Sequence, residues 1–469
     1  MLEEKEIRAL VGDMWTLHLS ELVWLDQLYE FTKGLRGRPE VPEGALQEVK
    51  DIAKLSVKNV LGMVRDSFAQ NLSVVGYRRA TALQNDPAWA MWQRNRMDAR
   101  QAEVYRPAVT YGSAYASALP GANGPVFRIR SPRQMLATYV EPHLDAWPQY
   151  ALETWVDKTD AKPRRKGWLL DAEYVYPLDL GEISSLPTDP GRATPFSIVD
   201  VGEPWRHGAT DDGEPVCPVV RFVNDRDADD MIIGEIAPLL VDQQAINEVN
   251  FDRLIVVRFG AFPQKVITGW SGSRSEVLRA AASSVMAFED DNVKATNFAA
   301  ASLDGYNAVL EEMVAAVAMK AQISPAQVVG KMINLSAEAL AAAEANQQRK
   351  LAAKRESFGE SWEQLLRLGA AIDGDEATAI DSGAEVIWRD TEARSFGAVI
   401  DGLVKLAGVG VPIEALLSMI PGMTQQQIVA VQNSLQSRKV EGLVEQLRLN
   451  AAARTTPAMP SMDQRALSG

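Results

Sequence analysis

The sequence predicts a mainly helical α+β chain, and three observations carry that expectation. Apolar residues recur at helical spacing through the first hundred residues and through most of the chain beyond residue 235. Between residues 110 and 232 the pattern changes to short β-type runs divided by Pro, Gly and Asp. The composition, 46% hydrophobic and 23% charged over 469 residues, is that of a folded protein with a sizeable core. That length suggests about three structural units.

Residues 1–33 read as a helix on Leu10, Met14, Leu17, Leu25, Leu28 and Phe31, stopped by Gly34. Residues 44–70 predict a second, through Leu46, Val49, Ala53, Val57, Val60, Leu61, Val64 and Phe68. A third, 87–108, opens with Pro87 and carries Trp89, Trp92, Met97 and Val104. The β-type runs after it are 109–119 (VTYGSAYASAL), 150–158 (YALETWVDK), 168–178 (WLLDAEYVYPL) and 219–223 (VVRFV).

A long helix then begins with Glu235 and Pro238 in its first turn and shows Leu239, Ile246, Val249, Leu254 and Val257 on its apolar side. Residues 259–298 interrupt it with AFPQKVITGW, a Ser/Gly turn, a short helix and MAFEDDNVKATNF. The last reads as a β-hairpin with Asp290-Asp291-Asn292 at its tip. Helix resumes near Leu303, with Tyr306, Leu310, Met313, Val314 and Val317 on one stripe.

A loop, Ile323–Leu335, precedes the clearest helical segment, Ser336 to about Leu368, which at 1.5 Å per residue spans about 50 Å. Its second half carries Leu351, Phe358, Trp362 and Leu365, and Glu363 is placed to pair with Arg367 one turn on. Its first half, ALAAAEANQQRKLAAK, has little to bury and suits close packing against neighbouring helices, of this chain or of other subunits. After Gly374 come a short strand (AEVIWRD), helices at 391–407, 412–420 and 424–447, and a frayed tail, 451–469.

Charge and residue inventory exclude several classes. The net charge is −14, and no Lys/Arg cluster exceeds Lys162–Lys166 (KPRRK), so tight nucleic-acid binding through a basic face is not expected. Acidity also serves solubility. A single cysteine, Cys217, forbids an internal disulfide and any multi-cysteine metal site. His18, His143 and His207 are far apart and read as core or surface residues. The start of the chain, with Glu3, Glu4 and Glu6, has the wrong charge for a secretory signal, and no apolar run is long enough to span a membrane.

Catalytic signatures fail on inspection. Gly330-Lys331 is followed by Met332 and preceded five residues earlier by Pro325, so it is not a phosphate-binding loop. Gly408-Val409-Gly410 lacks the third glycine of a dinucleotide fingerprint and reads as a helix cap. The acidic run Asn224–Asp230 has carboxylates that suit a hard cation. It nonetheless carries Asp230 where a calcium loop needs Gly and Ile236 where it needs Glu, so it reads as a solvated turn. Trp15, Trp24, Trp89, Trp92 and Trp362 sit in helical apolar patterns and are expected in cores or interfaces, not on single-stranded bases. No catalytic residue, cofactor or metal site is expected.

Five stretches in this order resemble the portal proteins of tailed bacteriophages, particularly the group from phages of actinobacteria. They are LDQLYEFTKG in the first helix, Trp92–Ala116, Pro218–Leu254, Ile323–Leu368 and Val386–Pro412. The resemblance implies a portal-type fold. Its parts would be a wing (1–234, with a strand in 373–392), two stem helices (235–258 and 299–322) and a small α/β clip between them (259–298). Beyond these would come a tunnel loop (323–335), a long kinked helix (336–372), a helical crown (393–450) and a flexible tail (451–469).

It further implies a non-enzymatic ring, usually of twelve subunits, at one capsid vertex of the virion, made in the cytoplasm of the host bacterium. The ring would form the channel for DNA packaging and ejection. Implied partners are copies of itself, the terminase large subunit, the head–tail adaptor, the major capsid and scaffolding proteins, and double-stranded DNA in transit; no membrane is involved. Lys331 would face the channel or stand as a solvated loop lysine, Glu311 and Glu312 would face the channel or make intersubunit ion pairs, and Phe262, Trp270, Asp290 and Asp291 would lie on the docking clip. Twelve copies at −14 total about −168, a charge that would repel phosphates and let duplex slide. The alternatives are another minor capsid or structural phage protein, a cellular helical scaffold that forms no ring, and a metal-dependent hydrolase built on Asp225, Asp227 and Asp229.

Overall fold

The computed structural model describes residues 1–79, 86–159, 162–183, 189, 191–192, 196–260, 265–268, 285–288, 302–324, 328, 337–391, 396–417, 420, 423, 427–428 and 430–437. Among them the architecture is α+β and mainly helical. The chain divides into two compact units, one of residues 1–80 and 86–393, the other of 81–85 and 394–469.

The first unit opens with α1 (Glu4–Thr32), whose start is fixed by reciprocal bonds between Glu3 and Glu6. Its apolar face (Ile7, Val11, Met14, Trp15, Leu22, Leu25) lies on a six-stranded sheet, and Leu28 and Phe31 continue into the central core. The helix expected over 44–70 is two, α2 (Gln47–Leu55) and α3 (Val60–Ala69). The break has a side-chain cause: Asn59 caps α3 by accepting the Gly62 N–H at 2.9 Å while donating to the Thr32 carbonyl at 2.7 Å. Strand β1 (Val74–Arg79) comes next, an element the apolar pattern does not announce.

The helix expected over 87–108 is three, α4 (Trp89–Arg94), α5 (Met97–Arg100) and α6 (Ala102–Tyr111), divided where Arg96 turns left-handed at φ 54°. Val109–Tyr111, expected to start a strand, instead completes α6. Gly112 then ends the helix at φ +97°, where a glycine is needed. The strands come next: β2 (Ser113–Leu119), β3 (Val126–Arg130), β4 (Met135–Thr138), β5 (Tyr150–Asp157), β6 (Arg164–Leu170) and β7 (Tyr174–Glu182). Short β8 (Asp200–Val201), β9 (Trp205–Arg206), β10 (Thr210–Asp211) and β11 (Glu214–Pro215) lead to β12 (Val219–Val223).

Besides the two-stranded antiparallel pair β10-β11, two antiparallel sheets result, one ordered β12-β2-β3 and one ordered β4-β5-β6-β7 with β8 and β9 both on β7. A small core of Tyr115, Leu119, Met135, Leu170, Val175 and Val219 unites residues of both.

After a 3₁₀ turn at Ala237–Leu239, α7 runs from Leu240 to Gly260 and α8 from Asp304 to Lys320. Between them, β13 (Lys265–Thr268) and β14 (Val285–Phe288) pair in parallel. Val285–Phe288 is thereby joined to the earlier strand; the second strand of the expected hairpin and its tip at 290–292 lie outside the described residues. So does the short helix expected between the two strands.

The longest helix, α9 (Ala337–Asp373, 37 residues), covers the β12-β2-β3 sheet, followed by α10 (Glu376–Ala379) and β15 (Ala384–Trp388), which pairs antiparallel with β1. Trp362 and Phe358 of α9 pack with Trp92, Tyr105 and Phe222 in a fully buried aromatic cluster. Each such side chain contributes about 1.5–3 kcal/mol on burial.

The helix also closes strand edges. Ser357 and Ser361 hydroxyls donate to the Val223 and Arg221 carbonyls at 2.7 and 3.3 Å, and Glu363 accepts the Val386 N–H at 3.0 Å. Glu363 thus serves the backbone of β15 instead of forming the expected ion pair with Arg367, whose charge reaches it only as a weaker influence than burial. In the second unit, α11 (Phe396–Gly408) and α12 (Ile413–Leu416) bury Leu403, Leu416 and Leu417. The tail 451–469 lies outside the described residues.

Candidate functional site

The two helices that bracket residues 261–301 are held as an antiparallel pair. Asp242 near the start of α7 meets Lys320 at the end of α8 at 2.7 Å, and Arg253 donates to Asn307 at 3.1 Å. The pair is anchored by a ladder of buried amides on α7: Gln243, Asn247 and Asn250, spaced one turn apart. Gln243 accepts from the Val60 and Leu61 N–H groups at 3.0 and 3.3 Å. Asn247 accepts from the Lys58 N–H and donates to the Gly37 carbonyl, each at 2.9 Å, and Asn250 donates to the Ser56 carbonyl at 2.7 Å.

These bonds satisfy backbone groups at Gly37 and from Ser56 to Leu61 and so fix α7 against the body of the unit. On the outside, Val241, Glu248 and Asp252 of α7 are exposed, as are Val309, Glu311, Glu312 and Met319 of α8. Glu311 and Glu312 therefore stand on the open side of the pair. Lys331, Phe262, Trp270, Asp290 and Asp291 lie outside the described residues.

Below the start of α7 is an ion node that the sequence pattern does not show. Glu235 is not in the first turn of a helix; it precedes the 3₁₀ turn and is 8% exposed. Its N–H donates to the Val109 carbonyl at 2.8 Å. Its carboxylate receives the Lys354 ammonium at 2.6 Å, the Asn224 amide at 3.2 Å and, on the other oxygen, Lys350. Lys354, 2% exposed, donates also to the Asn224 side-chain oxygen at 2.6 Å. The Phe68 ring lies 5.5 and 5.4 Å from the Lys350 and Lys354 ammoniums.

Burial pushes Lys354 below the usual lysine range, against the pull of Glu235. Burial raises Glu235, but the two ammoniums outweigh it and hold the carboxyl below its ordinary value. The node ties the first half of α9, which the sequence suggested had little to bury, to the chain between α6 and α7. Adjacent Gly234 has no room for a side chain, since a Cβ there would stand 2.6 Å from the Thr110 carbonyl oxygen.

The remaining charged motifs are engaged locally. Asp227 accepts the Asp229 and Met231 N–H groups at 3.0 and 2.9 Å, and Arg226 pairs with Asp230 at 3.4 Å, so the acidic run folds into a turn around its own backbone. The basic run is neutralised along the sheet: Lys162 by Glu182 at 2.9 Å, Arg164 by Asp179 at 2.7 Å and Lys166 by Asp157 at 2.6 Å. Arg165 is buried and donates to the Arg192 carbonyl at 3.2 Å. His18 and His207 are buried, and desolvation lowers both, His18 to about 4; His143 is exposed. Of the tryptophans placed in helical patterns, Trp15, Trp92 and Trp362 are buried, whereas Trp24 is 45% exposed.

Residues 66–440 match the family model described as phage portal protein, SPP1 Gp6-like. The chain belongs to this portal family. Two curated relatives are the portal proteins of Mycobacterium phage D29 and Mycobacterium phage L5. The first is 26% identical over 374 residues and the second 25% over 373, each match covering 74% of this chain and 71% of the relative. Among solved structures, a chain from the neck of a native GTA particle computed with C12 symmetry is 12% identical, with a TM-score of 0.41. That match covers 82% of this chain and 89% of the other.

The family is one of structural phage proteins, and the resemblance to portal proteins of actinobacterial phages is thereby established. What reading the sequence of this portal chain missed is its polar interior. Lys350 and Lys354 sit one turn apart in the Ala-rich half of the helix that has little apolar surface to bury, and their spacing puts both ammoniums on one face. No helix among the described residues is long and apolar enough to cross a membrane.

Proposed function

We propose that this portal-family chain assembles with about eleven further copies of itself into a closed ring at one vertex of a phage capsid. Through its central channel, DNA is packaged and later ejected. The observation that carries the reading is the anchored helix pair. Two antiparallel helices, locked to the body by Gln243, Asn247 and Asn250, bracket residues 261–301 and present Glu311 and Glu312 outward. Repeated around a ring, such pairs build a tube wall whose acidic lining offers duplex phosphates no counter-charge. The neutralised basic run supports the same picture, since its cations are already held by Glu182, Asp179 and Asp157.

In this reading residues 1–234, with β15, form the wing, α7 and α8 the stem, and 259–298 the clip that docks terminase during packaging and the head–tail adaptor afterwards. The loop 323–335 with Lys331 narrows the channel, α9 spans the wing, and 393–450 form the crown. Phe262, Trp270, Asp290 and Asp291 are the clip residues assigned to docking. The chain acts without catalysis.

Vertex occupancy tests the reading. The chain, carrying a gold-binding tag, is co-expressed with the capsid and scaffolding proteins of its phage, and labels are counted on each shell. One labelled vertex per shell is expected. Labels at many vertices, or on none, overturn it.

A further inference from the structure

A surface cleft of about 430 Å³ opens between the turn after β4, strand β12 and α9. Two arginines converge in it on a single oxygen: the Pro142 carbonyl receives Arg226 at 2.7 Å and Arg221 at 3.3 Å. Arg221 lies over the Tyr139 ring, 4.1 Å from its centre, and no carboxylate lies within 4.0 Å of it among the described residues. The buried Arg226 Nε faces Asp230 Oδ1 at 3.4 Å, an ion pair that falls short of a hydrogen bond. One carbonyl and, on the Arg226 side, the Asp230 carboxylate therefore serve two cations with up to ten N–H donors between them. Burial disfavours the charge on Arg226, and the neighbouring Arg221 adds repulsion.

Among the described residues, neither acid lining the cleft, Asp145 or Asp225, pairs with an arginine within 4.0 Å. Asp145 already accepts the Glu141 N–H at 2.7 Å, and Asp225 is among the exposed residues of the turn. Behind the cleft wall, the Asn224 side chain connects to Lys354, so the ion node adds a further ammonium for its one carboxylate.

We propose that this cleft is an oxyanion site, in which Arg221 and Arg226 together hold a carboxylate or phosphate group. Stacking on Tyr139 fixes the plane of Arg221, and the shared carbonyl fixes Arg226 beside it, so both guanidinium edges are set before the anion arrives. Paired guanidiniums with unspent donors recognise such groups through parallel charge-assisted bonds. The anion relieves the repulsion between the two cations and accepts from their terminal N–H groups. The inference does not depend on ring assembly, because every residue of the site belongs to one chain.

The test is thermal unfolding of the unassembled protein in phosphate and in acetate, each against chloride at equal ionic strength. A dose-dependent rise with phosphate or acetate is expected, with affinity about ten-fold weaker in Arg221→Gln and again in the Arg221→Gln/Arg226→Gln pair. Arg221→Lys, which keeps the charge and loses the flat two-point edge, is expected to fold and to bind more weakly than the parent. An equal rise in chloride, or an unchanged response in the double variant, overturns the site.

Repeating the titration on assembled rings separates the two sources. Loss of the response there assigns the site to an acidic side chain of a second copy, and its persistence assigns it to a free anion.

Discussion

Replacing Glu235 with Gln is expected to destabilise the first unit more than removing either of its lysines. The node holds two ammoniums on one carboxylate, so the carboxylate is the member without a substitute. Its loss leaves Lys354, 2% exposed, facing Lys350 with only neutral acceptors, at a cost of about 3–5 kcal/mol. Lys354→Met leaves Glu235 paired with Lys350, whose side chain is 27% exposed and remains hydrated. The loss is then one buried charge-assisted bond and the partner of Asn224, about 1–3 kcal/mol.

Urea unfolding of the unassembled chain, followed by tryptophan fluorescence from the Trp92–Trp362 cluster, reads the difference. With a slope of roughly 3 kcal/mol per molar, the midpoint falls by about 1 M or more for Glu235→Gln and by about half that for Lys354→Met. The double variant Glu235→Gln/Lys354→Met is expected to be more stable than Glu235→Gln alone, because it removes the stranded charge. A Lys354→Met cost equal to or above that of Glu235→Gln, or strictly additive effects, would refute the account of the node.

Three further outcomes are expected. His18 is held neutral by burial, with its pKa lowered to about 4; Glu21 stands 4.0 Å from Nδ1, and the Arg133 backbone and the Trp15 ring also meet it. Between pH 6.5 and 4 the unfolded chain takes up the proton first, so stability falls as pH drops, by up to about 1.4 kcal/mol per unit; denaturation midpoints across that range should flatten in His18→Leu. Tyr105→Phe removes the hydroxyl that accepts from Trp362 at 3.0 Å and donates to Gln101 at 3.0 Å, and should cost about 1–3 kcal/mol in the same urea assay. Gly234→Ala places a methyl 2.6 Å from the Thr110 carbonyl and 2.8 Å from the Gly112 nitrogen, and should lower the unfolding midpoint by a cost of about 1–3 kcal/mol.

The fold was legible where one physical cue dominates. Periodicity located α1, α7, α8 and α9, because each has one face to bury and few competing polar contacts at its apolar positions. Helix breaks made by side chains were not legible: nothing in the apolar pattern of 44–70 shows that Asn59 reaches the Thr32 carbonyl, 27 residues away. Strand β1 was missed because VVGYRR is short, contains a glycine and is stabilised by a strand near the far end of the unit, where Tyr77 stands opposite Val386.

The same limit hid the functional geometry. Glu235 reads as an N-terminal helix charge because acids favour that position, and only the fold shows Lys350 and Lys354 waiting for it. The amides of α7 look like a solvated face until the backbone of 37–60 is brought to them. Glu311 and Glu312 were legible as a polar side because they are exposed, which is what polarity at that period encodes.

Ring assembly is the central claim, and electron microscopy of the purified protein, with native mass determination on the same sample, tests it most directly. The account predicts closed rings with a central hole and about twelve-fold symmetry, formed by the protein alone or once scaffolding and capsid proteins of its phage are added. Monomers or open chains under both conditions would contradict it.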